Sequence, residues 1–124
     1  MVQSSAIMPD NSLENVVGAL GLDNPCGGSL SGRAVSGGYV SDLLSDVMGN
    51  ARPGDIWVTI QSHLNIVAVA ALKEFSAVVV CGGAEVEEAV LEKARSEGVV
   101  VLTTSKTSFE ICGLLWEMGV RRSP

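Results

Sequence analysis

Apolar positions along the chain change their spacing several times, and each change marks an element. Leu13, Val16, Val17 and Leu20 recur at three- and four-residue intervals. That spacing predicts a short helix, capped by Asn11 or Ser12 and stopped by Gly21. Residues 23–32 (DNPCGGSLSG) are turn formers and predict a loop. Arg33 to Gly38 reads as a short extended piece, and Ser41-Asp42 opens a helix whose buried side is Leu43, Leu44, Val47 and Met48. After the turn Arg52-Pro53-Gly54-Asp55, residues 55–61 form a β-branched strand. Leu64 to Leu72 mixes strand and helix formers. It is assigned as helix because Ala77 to Val80 is the next buried strand, and parallel strands need a crossover between them. Glu85 to Glu97 is amphipathic, with Val86, Ala89, Val90 and Ala94 inward and Gly98 as its stop. Val99 to Leu102 is a further apolar strand, and Thr107-Ser108-Phe109-Glu110 is a capping box opening a last helix to Met118.

From residue 55 the pattern is therefore β-α-β-α-β-α. Short, continuously apolar strands mark a parallel sheet covered on both faces. The expected class is α/β: a single three-layer α/β/α domain with a mainly parallel sheet. Residues 1–11 read as a flexible N-terminal lead-in, 12–120 as the domain and 121–124 as a C-terminal tail.

Composition narrows the function. At 124 residues and 47% hydrophobic, the chain can bury a full core, built from aliphatic side chains because only 4% are aromatic. A net charge of −6 argues against nucleic acid and against anionic membrane surfaces. No apolar run reaches the roughly 20 residues of a membrane helix, and the N-terminus lacks the layout of a signal peptide. Cys26, Cys81 and Cys112 have neither disulfide-framework nor zinc spacing, which suits a reducing cytoplasmic location. No metal and no cofactor is expected.

In a parallel sheet the strand-to-helix turns share one edge, where ligands collect, above all where the strand order reverses. Three turns qualify: Gln61-Ser62-His63-Leu64-Asn65, Cys81-Gly82-Gly83-Ala84 and the run from Thr103 to Ser108. Each leads into a helix N-terminus, whose free N–H groups favour anions. The candidate ligand residues are Gln61, Ser62, His63, Asn65, Gly82, Gly83, Thr103, Thr104 and Ser105, together with the second Gly-Gly pair, Gly37 and Gly38. Capping alone accounts for the same polar residues. His63, the one histidine, is open to three roles: turn or cap residue, ligand contact, or catalyst oriented by Asp42 or Asp46. No phosphate loop, nucleophile elbow or zinc-protease helix is present. No residue is assigned as catalytic.

The stretch from Gly32 to Met48, GRAVSGGYVSDLLSDVM, resembles the signature of the DRTGG domain family, and GDIWVTIQSHLNIVAVA and SFEICGLLWEMGV resemble its stand-alone members. The resemblance spans roughly residues 12–120. It implies a fold similar to the N-terminal domain of HPr kinase/phosphorylase, a three-layer α/β unit. That kinase's phosphate loop lies in another domain and has no counterpart here, so a regulatory or assembly module is implied rather than a kinase. Members occur alone, in front of some phosphotransacetylases, and between CBS domains of some pyrophosphatases. Some are encoded near iron hydrogenase genes. The chain departs from the signature at Gly32, where Asp would stand, and at Ser36, where Thr would stand.

The expected function is a non-catalytic regulatory or assembly domain that binds a small anionic metabolite or nucleotide at the strand-to-helix edge. The alternatives are a ligand-free interaction module serving a metabolic or redox protein partner, and a small enzyme using His63 with Asp42 or Asp46. The last helix is apolar nearly all round, so part of it needs cover from outside. A homodimer through Phe109, Cys112 and Trp116 is the expected cover.

Overall fold

Strand β1 (Gly37–Val40), β2 (Asp55–Thr59), β3 (Ala77–Val80) and β4 (Val101–Thr103) form one sheet in the computed structural model, which describes residues 11–122. All but Asn11 of the expected lead-in, and the last two residues of the tail, lie outside the described residues. Every pairing is parallel, and the spatial order β1-β2-β3-β4 follows the chain without reversal. Strands β2 and β3 are buried at every position; Ile56-Trp57-Val58 and Ala77–Val80 are apolar runs that require it, while Asp55 and Thr59 are buried polar ends of β2.

The helices are α1 (Leu13–Leu20), α2 (Leu44–Asn50), α3 (Asn65–Lys73), α4 (Glu88–Glu97) and α5 (Ser108–Glu117). Crossovers in parallel sheets are right-handed, and here each steps one strand in the same direction. The three crossover helices therefore share one face. Val47, Ile66, Val67, Ala70, Val90, Leu91 and Ala94 pack there against Trp57, Val78, Val80 and Val101. The other face carries α1 and α5, whose Leu13, Val16, Leu20, Ile111 and Leu115 cover Ile56, Val58, Val79 and Leu102. The expected three-layer α/β architecture is present.

Local signals place most boundaries. Ser12 accepts the Asn15 N–H and caps α1, and Gly21 ends it at φ +66°. Thr107 and Glu110 close the expected capping box at α5. Several details differ from expectation: β2 ends at Thr59 rather than Gln61, and β4 runs Val101–Thr103 rather than Val99–Leu102. Tyr39 and Val40 belong to β1, so the strand lies later than Arg33–Gly38. Helix α2 starts at Leu44, because the Asp42 carboxylate reaches across to β2 instead of capping a helix; Leu43 and Met48 are consequently exposed. Helix α4 starts at Glu88, which turns Ala89 outward.

The signature segment braces the opposite end of the sheet. Arg33 donates from Nη2 to the Gly98 carbonyl at 2.7 Å and from Nη1 to that of Ser76 at 3.4 Å. The guanidinium thus ties the segment before β1 to the end of α4, through carbonyls and without the aspartate that Gly32 replaces. Among the described residues no helix is long and apolar enough to cross a membrane.

Candidate functional site

The carboxyl edge of the sheet is built from two stitched halves. In the first, Asp42 follows β1 and accepts the Thr59 hydroxyl and the Ile60 N–H, both at 2.9 Å on Oδ1. Gln61 returns the link, its Nε2 donating to the Asp42 carbonyl at 2.8 Å. In the second, Gly82 N–H donates to the Lys106 carbonyl at 2.8 Å and Gly83 N–H to that of Thr104 at 3.0 Å. Both glycines hold positive φ, +81° and +75°, a backbone region that a side chain disfavours. The halves meet where Cys81 N–H donates to Thr59 O at 2.8 Å, and a Cβ on Gly82 would stand 4.0 Å from Ile60. The turns carrying Gln61, Gly82, Gly83 and Thr104 therefore lie side by side.

Gly37 and Gly38 are not brought to them. Gly37 pairs with Asp55, the first residue of β2, so this Gly-Gly pair sits at the amino end of the strands. Thr103 is half-buried, exchanging backbone hydrogen bonds with Asp23, while Thr104 is buried and Ser105 exposed.

Of the four helix N-termini on this edge, those of α3, α4 and α5 differ in charge. Helix α5 is sealed by its capping box, and the Glu110 carboxyl is held below its ordinary range by the Thr107 N–H and hydroxyl. The approach to α4 carries Glu85, Glu87 and Glu88, all exposed, which repel an anion. Helix α3 has no acidic residue in its first turn and no side-chain cap. His63 and Asn65 are exposed there, beside a shallow cleft of about 400 Å³ shared with Glu87 and Val90. The His63 carbonyl accepts the Ile66 N–H, while its ring makes no hydrogen bond among the described residues. Asp46 is engaged elsewhere, taking the Tyr39 hydroxyl on both oxygens at 2.9 and 3.0 Å and the Asn50 amide at 2.9 Å. Hydrogen bonds from Ser41 and Tyr39 hold the Asp46 carboxyl below its usual range; the same bond to Asp46 raises the Tyr39 phenol. Among the described residues no group of His, Cys, Asp and Glu could hold a metal ion.

Exposed apolar side chains gather at this edge: Val40, Leu43, Ile60, Leu64 and, at the start of α5, Phe109. Phe109 is 88% exposed and Trp116 61%, while Cys112 between them is half-buried. The Arg121 guanidinium lies 3.7 Å above the Trp116 ring and donates to the Trp116 carbonyl at 2.7 Å. Beside them a groove of about 240 Å³ runs between β1 and α5. Sequence reasoning missed this groove, because Tyr39, Val40 and Arg121 are joined only by the fold. The one local signal was a pair of arginines directly after the last helix.

No match was found among curated proteins. The fold is similar to the crystal structure of the CBS and DRTGG domains of the regulatory region of Clostridium perfringens pyrophosphatase, complexed with its activator diadenosine tetraphosphate. The TM-score is 0.70 at 20% sequence identity, over 94% of this chain and 52% of that one. The chain thus spans about half the length of that structure. The family model of the DRTGG domain matches residues 39–118, more than half of the sequence, and the chain belongs to the DRTGG domain family.

Proposed function

We propose that the chain is a non-catalytic regulatory or assembly domain, spanning residues 12–120, that works by docking as a homodimer. The observation that carries this is the gathering of Val40, Leu43, Ile60, Leu64 and Phe109 at one edge, continued by Trp116 along the outer side of α5. Several exposed large apolar side chains on one side of a domain favour an interaction site, and two-fold self-association is the commonest cover. The expected interface includes Phe109, Cys112 and Trp116. Light scattering at micromolar concentration should give about twice the 12.8 kDa of one chain. Phe109→Glu and Trp116→Glu should return the protein to a single-chain mass with unchanged circular dichroism. A single-chain mass for the unaltered protein sinks the dimer and favours a docking module for another protein, of metabolic or redox kind.

A small anionic metabolite or nucleotide is the second part of the proposal. The open N-terminus of α3, beside Gln61, Ser62, His63 and Asn65, supports it; the other candidate residues, Gly82, Gly83, Thr103, Thr104 and Ser105, belong to the next turns along the same edge. The pyrophosphatase regulatory region binds a nucleotide, but the likeness covers 52% of that chain and carries the fold, not the nucleotide's seat. An enzyme using His63 has less support, since the carboxylates of Asp42 and Asp46 are held by other partners. Three free cysteines and the acidic composition are in keeping with a cytoplasmic protein.

A further inference from the structure

We infer that the homodimer's two-fold axis runs along α5, so that the two α5 helices lie parallel and the partner's Glu117 closes the groove between β1 and α5. This rests on the homodimer proposed above and gives it an axis. At 3.6 residues per turn, Phe109, Gly113 and Trp116 line up on the outer side of α5, and all three are exposed. Gly113 is the odd member. A Cβ there would meet nothing within 4 Å, so the packing of this chain has no need of a glycine. Glycine in a helix interior weakens the helix relative to alanine. A bare backbone between two exposed aromatic side chains suits the close approach of a second helix.

Charge selects the direction of that helix. Cys112 and Leu115 turn toward β1, where the groove of about 240 Å³ carries Arg121 and Arg122 and no carboxylate. Glu110 and Glu117 turn to the opposite side of the line from Phe109 to Trp116. Arg121 is held by the Trp116 ring and by the carbonyls of Trp116 and Val120, which fixes one cation in the groove wall. Arg122 and Glu117 are exposed, and neither side chain makes a hydrogen bond or ion pair among the described residues. A two-fold axis across α5 makes the helices antiparallel and brings Glu110 to the partner's Glu117, like against like. An axis along α5 exchanges the two sides instead. Each copy's glutamate side then meets the other's arginine side, while Phe109 meets the partner's Phe109 and Trp116 the partner's Trp116 at the axis. Complementary charge across an interface fixes its register and suppresses the alternative pairing.

Sedimentation equilibrium of the full chain and three variants tests this. Glu117→Arg and Arg122→Glu should each weaken the dimer about fivefold or more, because symmetry doubles the lost pair and turns both copies of it into repulsions. Glu117→Arg and Arg122→Glu combined in one chain should return the dissociation constant to within about twofold of the unaltered protein. Both positions are exposed, so circular dichroism should be the same throughout. If either single variant leaves the dimer as tight or tighter, or the combined variant is not restored, the axis assigned here is wrong while the homodimer stands. A single-chain mass for the unaltered protein at micromolar concentration removes both.

Discussion

Glu74 is the one non-glycine residue with positive φ among the described residues. It ends α3 at φ 59° and ψ 45°, its N–H bonded to the carbonyls of Ala70 and Ala71. A left-handed conformation costs a side-chain-bearing residue about 1–2 kcal/mol, part of which glycine's unfolded-state entropy takes back. Glu74→Gly should therefore stabilise the protein by about 1 kcal/mol and raise Tm by about 3–5 °C. An unchanged or lower Tm would show that the Glu74 side chain contributes something the backbone does not. At this scale the sequence was partly silent. The two Gly-Gly pairs look alike as text, each following an apolar or small residue. One begins a strand and the other follows one, and only pairing with Asp55 decides which end of the sheet Gly37 occupies. Asp42 was legible as an acid near a helix start. That it braces Thr59 and Ile60 was not, because the contact joins residues 17 and 18 positions apart.

Element boundaries set by local chemistry could be read directly, as at α1, β3 and α5. The α5 capping box is the clearest, and it makes a pH prediction. Glu110 accepts the Thr107 N–H at 2.9 Å, and this bond with that of the Thr107 hydroxyl lowers its folded pKa below the ordinary 4.5. A depressed carboxyl contributes stability that is present above the unfolded value and lost as pH falls through the folded one. Glu110→Gln should lower Tm at pH 7, and the gap from the unaltered protein should narrow steadily as pH falls below the ordinary 4.5 and the carboxyl protonates. A gap that does not narrow with falling pH would mean that the carboxylate's charge plays no part. Thr107→Ala, which removes the reciprocal bond to the Glu110 N–H, should cost about 1 kcal/mol at pH 7. Boundaries set by distant partners were missed: α2 lost its expected first turn to the reach of Asp42, and β1 took Tyr39 and Val40 because Trp57 and Val58 lie beside them.

For the molecule as a whole, the sheet ranks its own parts. Strands β2 and β3 are paired on both sides and buried throughout, whereas β1 and β4 are edges. Native-state hydrogen exchange should therefore find its slowest amides in residues 56–59 and 77–80, exchanging only with global unfolding. Faster exchange there than in α1 would contradict this ranking. The unreversed strand order has a further consequence, for how the chain comes to be folded. Gly37 pairs with Asp55, Ile56 with Ala77 and Val78 with Val101, each pair about twenty residues apart, so among the four strands no pairing waits for a segment from the far end; only the isolated Asp23–Thr103 bridge reaches back across the chain. A parallel sheet usually folds slowly because its loops must close before its contacts reward them. Here each strand finds its neighbour already in place, and the structure can grow from β1 outward as the polypeptide leaves the ribosome. Helix α5 comes last, and until it settles beside α1 the part of that face it covers stays open to water.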